Sequence, residues 1–315
     1  MIFKFEPLYM ERIWGGNAFS DILGRDTDPS KKIGESWEIV DREDHQSVLS
    51  NTPKKLTLRS LLSSHCSNIM GPKWKKEWRF PILVKWLDCS NKLSLQVHPP
   101  KAIADKLGGE PKTENWYIAH ATNDAGLYVG LKKGSDKDKF LESIRNGTAE
   151  SECHWVKSNT GDSILVESGR IHAIDGGNLI LEIQQNSDTT YRVFDWNRTD
   201  ENGNSRELHI DESIQSINFD DFEPKLIPNA GIEVQNLANC SQFRIRKFTA
   251  NAQKTIKIKG SNQDCIILSP VDCVVEVGKE LIEKGCSAIS PYSQECIIKF
   301  TEGGSVLITD GFSRL

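Results

Sequence analysis

The stretch Leu93–Tyr117, LSLQVHPPKAIADKLGGEPKTENWY, decides how the rest of the chain is read. It holds Gln96 and His98 two residues apart, then Lys112 and Glu114 two apart, then an aromatic pair. In a strand, residues i and i+2 point to the same face. Gln96 and His98 can therefore face one pocket, with Lys112 and Glu114 reaching it from a second strand. Between the pairs lie a Pro-Pro break, a short helical run (101–107) and a Gly-Gly stop. One further imidazole from a neighbouring strand would complete a four-ligand N/O metal site.

Of the seven histidines, His45, His65, His154 and His209 sit among exposed or helical polar residues, and His120 ends a strand. His172, just after a glycine turn in SGRIHAIDGG, is the best candidate. Two imidazoles, a carboxylate and an amide oxygen suit zinc. The same set also suits manganese, iron or cobalt, so ligand type alone leaves the metal open. Each of these residues taken singly is more commonly a hydrogen-bonded core or surface group. Downstream, Glu182 stands inside the apolar run NLILEIQQ and Arg192 inside SDTTYRVFDW. They read either as a buried ion pair or exposed strand residues, or as a cation aimed into the pocket. Arginine's permanent, forked charge suits phosphate or a developing enediolate. Lys85 is the one cation in FPILVKWLD, at a strand edge or facing a polar pocket.

Around this centre the chain is rich in short strands. Helical spacing marks 57–78, with Thr57 as N-cap, then 136–146 and 211–218. A weakly patterned, proline-containing segment at 223–230 reads as a linker. From 231 onward the chain is short, evenly spaced strands, the pattern of a jelly roll or similar sandwich. GDSILVESGRIHAI (161–174) has a faint echo in GCSAISPYSQECII (285–298), with Cys296 at the place of His172. Only the first copy carries metal-competent residues.

Composition bounds the function classes. With 315 residues, 37% hydrophobic and 26% charged, the chain suits two globular domains. A net charge of −5 argues against a nucleic-acid binder. The eight cysteines are scattered without a CxxC, as expected of reduced thiols in a cytoplasmic protein. No apolar run approaches a membrane span, and the N-terminus shows no signal-peptide pattern.

SLQVHPP, PKTENWY and GRIHAIDGGNLILEIQQNSDTTYR resemble the signatures of type I mannose-6-phosphate isomerase, a zinc enzyme on the cupin fold. FPILVKWLD, ERIWGG and GESWEI extend the likeness, which covers the first 225 residues or so and is closest to the short bacterial form. The resemblance implies a mainly β chain of two cupin-like jelly rolls, 1–228 catalytic and 229–315 without metal ligands. It implies one zinc ion held by Gln96, His98, Glu114 and His172. Arg192 takes the place of the family's catalytic arginine and Lys112 that of the lysine beside the zinc glutamate. Ser94 and Lys85 match residues near the substrate phosphate, and Trp14 an aromatic at the pocket mouth. The reaction implied interconverts mannose 6-phosphate and fructose 6-phosphate through a cis-enediol, with a lysine, a zinc-bound water or Glu182 as base. The composition of YRVFDWN after the arginine differs from the longer forms. A cupin acting on another sugar phosphate, an oxygenase, or a non-catalytic sugar-binding bicupin are the alternatives.

Overall fold

The computed structural model describes residues 2–50, 52, 55–199, 203–261 and 263–314. It contains two β-sandwiches, each of jelly-roll type with a larger and a smaller antiparallel sheet. In the first, a six-stranded sheet runs in the order Leu8–Gly16, Ile33–Ile39, Ile82–Cys89, Asn178–Gln185, Glu114–Ala121, Ser163–Val166. Facing it, a five-stranded sheet runs Tyr191–Phe194, Leu95–Val97, His172–Ile174, Gly126–Leu131, Cys153–Lys157. The second sandwich pairs another six-stranded sheet with a four-stranded one.

Alternation along the strands assigns the faces. From Ile82–Cys89, the side chains of Ile82, Val84 and Trp86 enter a large apolar core with Ile245, Ile267 and Leu307 of the second sandwich. That core joins the two sandwiches back to back, and Trp86 Nε1 donates across it to the Gly285 carbonyl at 2.6 Å. The intervening positions, Leu83, Lys85 and Leu87, face the interior of the first sandwich. On the far side, Leu95, Val97 and Ala173 of the five-stranded sheet pack outward under Phe140 and Ile214 from two short helices.

The helices follow the sequence signals with shifted ends. The first runs Leu58–Met70, not 57–78, and stops at Gly71, whose φ of +100° breaks the helical path. Thr57 caps it by accepting from the Ser60 amide. The second runs Lys137–Arg145 with Asp136 as its side-chain cap, and the last Ile210–Ser216. The segment 223–230 is not a free tether. Ile227 exchanges backbone hydrogen bonds with Ser163, at the edge of the first sandwich's larger sheet. The chain's opening strand, Phe3–Lys4, pairs with Ala288–Ser290 in the second sandwich.

Candidate functional site

Strand register assembles the site. Gln96 lies directly opposite His172 on one side and Arg192 on the other. The three side chains therefore share the inner face of the five-stranded sheet. Glu114, opposite Gln184 and Val166, projects toward them from the six-stranded sheet. His98 follows the strand Leu95–Val97 on the face of Gln96, where Pro99 and Pro100 end the pairing.

The ligand atoms converge. His98 Nε2 is 3.3 Å from Glu114 Oε2, and His172 Nε2 is 3.6 Å from Glu114 Oε1. One such atom from each of the three residues lies within 4.8 Å of the others. Each ring is oriented from behind by a carbonyl. His98 Nδ1 donates to Thr189 O at 3.0 Å, and His172 Nδ1 to Arg170 O at 2.8 Å. These bonds place the proton on Nδ1 and leave each Nε2 lone pair directed inward. His98 Nε2 and Glu114 Oε1 are buried with no hydrogen-bond partner, and Glu114 Oε2 has the Lys112 ammonium beside it. Two stranded acceptors at one point would each cost about 1–3 kcal/mol. A bound cation satisfies both.

The charge states suit that role. Burial pushes the His98 imidazole down to about 3, helped by the Lys112 ammonium. Burial likewise lowers His172, against the pull of Glu114. Burial alone would raise Glu114, but Lys112 and His98 hold it well below the usual carboxylate range. Burial works to lower Lys112, and Glu114 with Glu182 more than reverse it. At neutral pH the site thus offers two neutral imidazoles and a carboxylate, the states a metal requires. The Lys112 ammonium stands 2.9 Å from Glu114 Oε2.

The other sequence candidates are distributed around this centre. Gln96 turns Nε2 toward His172 at 3.3 Å and Oε1 toward Ser94 Oγ at 3.5 Å. A half-turn of the amide would exchange the two atoms. Arg192 donates Nη1 to the Glu207 carbonyl at 2.8 Å, while its Nε is buried without a partner. Glu182 pairs not with Arg192 but with Lys85, directly opposite it, at 3.8 Å. Its second oxygen receives Trp116 Nε1 at 3.2 Å, and the Trp116 ring meets His172 edge-on. Burial and the nearby Glu114 push the Glu182 carboxyl up to about 6. Trp14 does not stand at a pocket mouth. It is 4% exposed and, from the strand Leu8–Gly16, packs inside the sandwich with Leu87, Trp116 and Ile180.

At one end of the sandwich a cleft of about 1070 Å³ is lined by Arg12, Lys31, Lys32, Lys92, Trp196 and Arg198, among others. Its cations outnumber its one acid, Glu11, in a protein of net negative charge. Trp196 and Asn197, in the YRVFDWN segment, both adopt left-handed backbone (φ 58° and 53°). The Trp196 indole lies under Lys92 Nζ at 4.2 Å. Sequence reasoning missed Glu35 and Trp37, which carry charge and an aromatic face into the same interior. Their i, i+2 spacing in GESWEI was the available signal.

Residues 2–120 match the family model for the catalytic domain of phosphomannose isomerase type I. The chain is 37% identical over 259 residues to mannose-6-phosphate isomerase ManA of Bacillus subtilis, covering 80% of this chain and 81% of that protein. It is 36% identical over 253 residues to a mannose-6-phosphate isomerase of Streptococcus mutans, covering 77% and 78%. The crystal structure of the mannose 6-phosphate isomerase from Bacillus subtilis superposes with a TM-score of 0.83 at 29% identity, over 98% of both chains.

Proposed function

This chain belongs to the type I mannose-6-phosphate isomerases, and from that premise we propose that it interconverts D-mannose 6-phosphate and D-fructose 6-phosphate at the site between its first two sheets. The observation that carries the reading is the group of buried, unpartnered ligand atoms on His98 and Glu114 beside His172, flanked by two cations. A storage or sugar-binding protein has no use for Lys112 and Arg192 at a metal site.

We assign one zinc ion to His98 Nε2, His172 Nε2, Glu114 and the amide oxygen of Gln96. The donor set suits zinc. When bound, zinc supplies a Lewis acid for the oxygens on C1 and C2 of the sugar. The aldose–ketose change moves a proton between C2 and C1 through a cis-enediol. Lys112 and Arg192 hold positive charge where the enediolate oxygen develops, a preorganised electrostatic role. Glu182 is the base best supported by its surroundings. Its carboxyl, pushed up to about 6, is close to the working range of a general base. Trp116 Nε1 and Lys85 orient it. Ser94 and Lys85 line the substrate-facing wall, both buried. We place the enzyme in the cytoplasm, where phosphorylated sugars are held and its eight unpaired cysteines stay reduced. In the described residues no helix is long and apolar enough to cross a membrane.

The test is the isomerase assay with and without chelator. Turnover of mannose 6-phosphate is expected, with loss on metal removal and recovery on adding zinc. Fructose 6-phosphate incubated in deuterated water is expected to gain label at C1, and the mannose 6-phosphate formed from it at C2. Absence of both turnover and label would refute the reading.

A further inference from the structure

The charged row of the six-stranded sheet does not stop at Glu182. Trp37, Lys85, Glu182 and Trp116 lie directly opposite one another on four adjacent strands. Glu35 precedes Trp37 by two residues and shares its face. Its carboxylate accepts Arg12 Nε at 3.0 Å and Arg12 Nη2 at 3.2 Å, a forked pair, and Trp37 Nε1 at 2.7 Å. The Trp37 ring in turn lies 4.7 Å from Lys85 Nζ. That ammonium is 3.8 Å from Glu182 Oε1, and among the described residues it donates no hydrogen bond. A lysine side chain has four rotatable bonds, so without a directional bond its aim depends on the surface it rests against. Here the surface is the Trp37 indole, and the indole is tied to Glu35.

We propose that Glu35 is a positioning residue: clamped by Arg12, it fixes the Trp37 indole, and the indole keeps Lys85 Nζ aimed at Glu182 and the reacting sugar. This rests on the isomerase reading above. The electrostatics agree with the geometry. Burial acts to raise the Glu35 carboxyl, yet Lys85, Arg12 and the Trp37 bond hold it below the usual range. Arg12 also lines the basic cleft, so the clamp is anchored where solvent and ligands arrive.

A double-mutant cycle tests it. Glu35→Gln keeps the size of the side chain and removes its charge. It is expected to lower kcat for mannose 6-phosphate by roughly ten- to a hundredfold, the range for residues that orient a reactive group, with a smaller change in KM. In a Lys85→Ala background the same substitution is expected to cost less than about twofold, because the group it positions is gone. An equal factor in both backgrounds, or an unchanged kcat in Glu35→Gln, overturns the proposal. Glu35→Asp is expected to recover part of the loss. If Glu35→Gln does not fold, Arg12→Gln breaks the same clamp from the surface and is expected to show the same dependence on Lys85. A crystal structure of the variant gives a readout that needs no turnover. Lys85 Nζ displaced from the Trp37 ring supports the role, and Nζ unmoved refutes it. Should the wild-type protein prove inert toward mannose 6-phosphate, the isomerase reading fails, and this structure still decides the positioning.

Discussion

In the first sandwich, Lys85 faces Glu182 across adjacent strands of the larger sheet. In the second, Leu268 faces Ile308 across adjacent strands of its own larger sheet. The rest of the two interiors follows suit. The second is filled by Val275, Val277, Ile298, Phe300 and other apolar side chains. In the first, apolar packing around Trp14, Leu127 and Ile164 occupies part of the interior, and the charged row and the His98, Glu114 and His172 cluster occupy the rest. Cys296 begins a strand of the second sandwich's smaller sheet, as His172 does in the first, but it is packed among apolar neighbours and burial pushes its thiol up to about 11. One architecture thus serves two ends. An apolar interior stabilises through burial, while a polar interior must satisfy or neutralise every group it encloses. The first sandwich can carry that cost because its outer face shares a core with the second.

The largest expected effect of breaking this contrast is at the ligands. His98→Ala should lose both zinc and activity, by more than the ~10–100-fold typical of outer-shell partners; metal analysis alongside the isomerase assay checks it. Arg192→Ala should keep zinc and lose about 10²–10³-fold in kcat; wild-type turnover would remove it from the mechanism. Phe300→Ala in the second interior should cost about 3–5 kcal/mol of stability. Its folded fraction should keep full zinc content, as read by denaturant titration and metal analysis. The smallest effect separates the interiors by pH. The His98 imidazole, at about 3 in the folded state, would titrate near ~6.5 when unfolded. Between those values the unfolded chain binds a proton that the folded one refuses. The metal-free protein should therefore lose stability as pH falls through that window. Urea midpoints at pH 7 and 5, in chelator, should differ less for His98→Gln than for the wild type.

Much of this contrast was legible in the sequence. Alternation placed Gln96 with His98 and Lys112 with Glu114, because a strand's two-residue period is local information. Lys85 and Glu182 stood out as charges inside apolar runs, and the apolar strands after 231 announced an interior without ligands. What escaped was register, which no single strand contains. The pairing of Glu182 with Lys85, and not Arg192, depends on which strands become neighbours. So does the inward burial of Trp14, which a motif match placed at a mouth. Segment 223–230 looked like a tether because its backbone bonds go to Ser163, far away in sequence. Glu35 and Trp37 escaped for the same reason: GESWEI served to extend the family likeness, and the pairing that sets Trp37 opposite Lys85 lies between strands.

The pairing of Phe3–Lys4 with Ala288–Ser290 has a consequence for the order of events during synthesis. Phe3–Lys4 leaves the ribosome well before the strands it joins, since the other strands of its sheet all lie between Val234 and Asp310. At ~5–20 residues per second, it waits roughly a quarter of a minute to a minute for its partner. Throughout that wait the first sandwich can close around its charged interior, but the back of its larger sheet stays bare. The chain is therefore a loop closed late, and its most exposed moment comes when the first sandwich is already built.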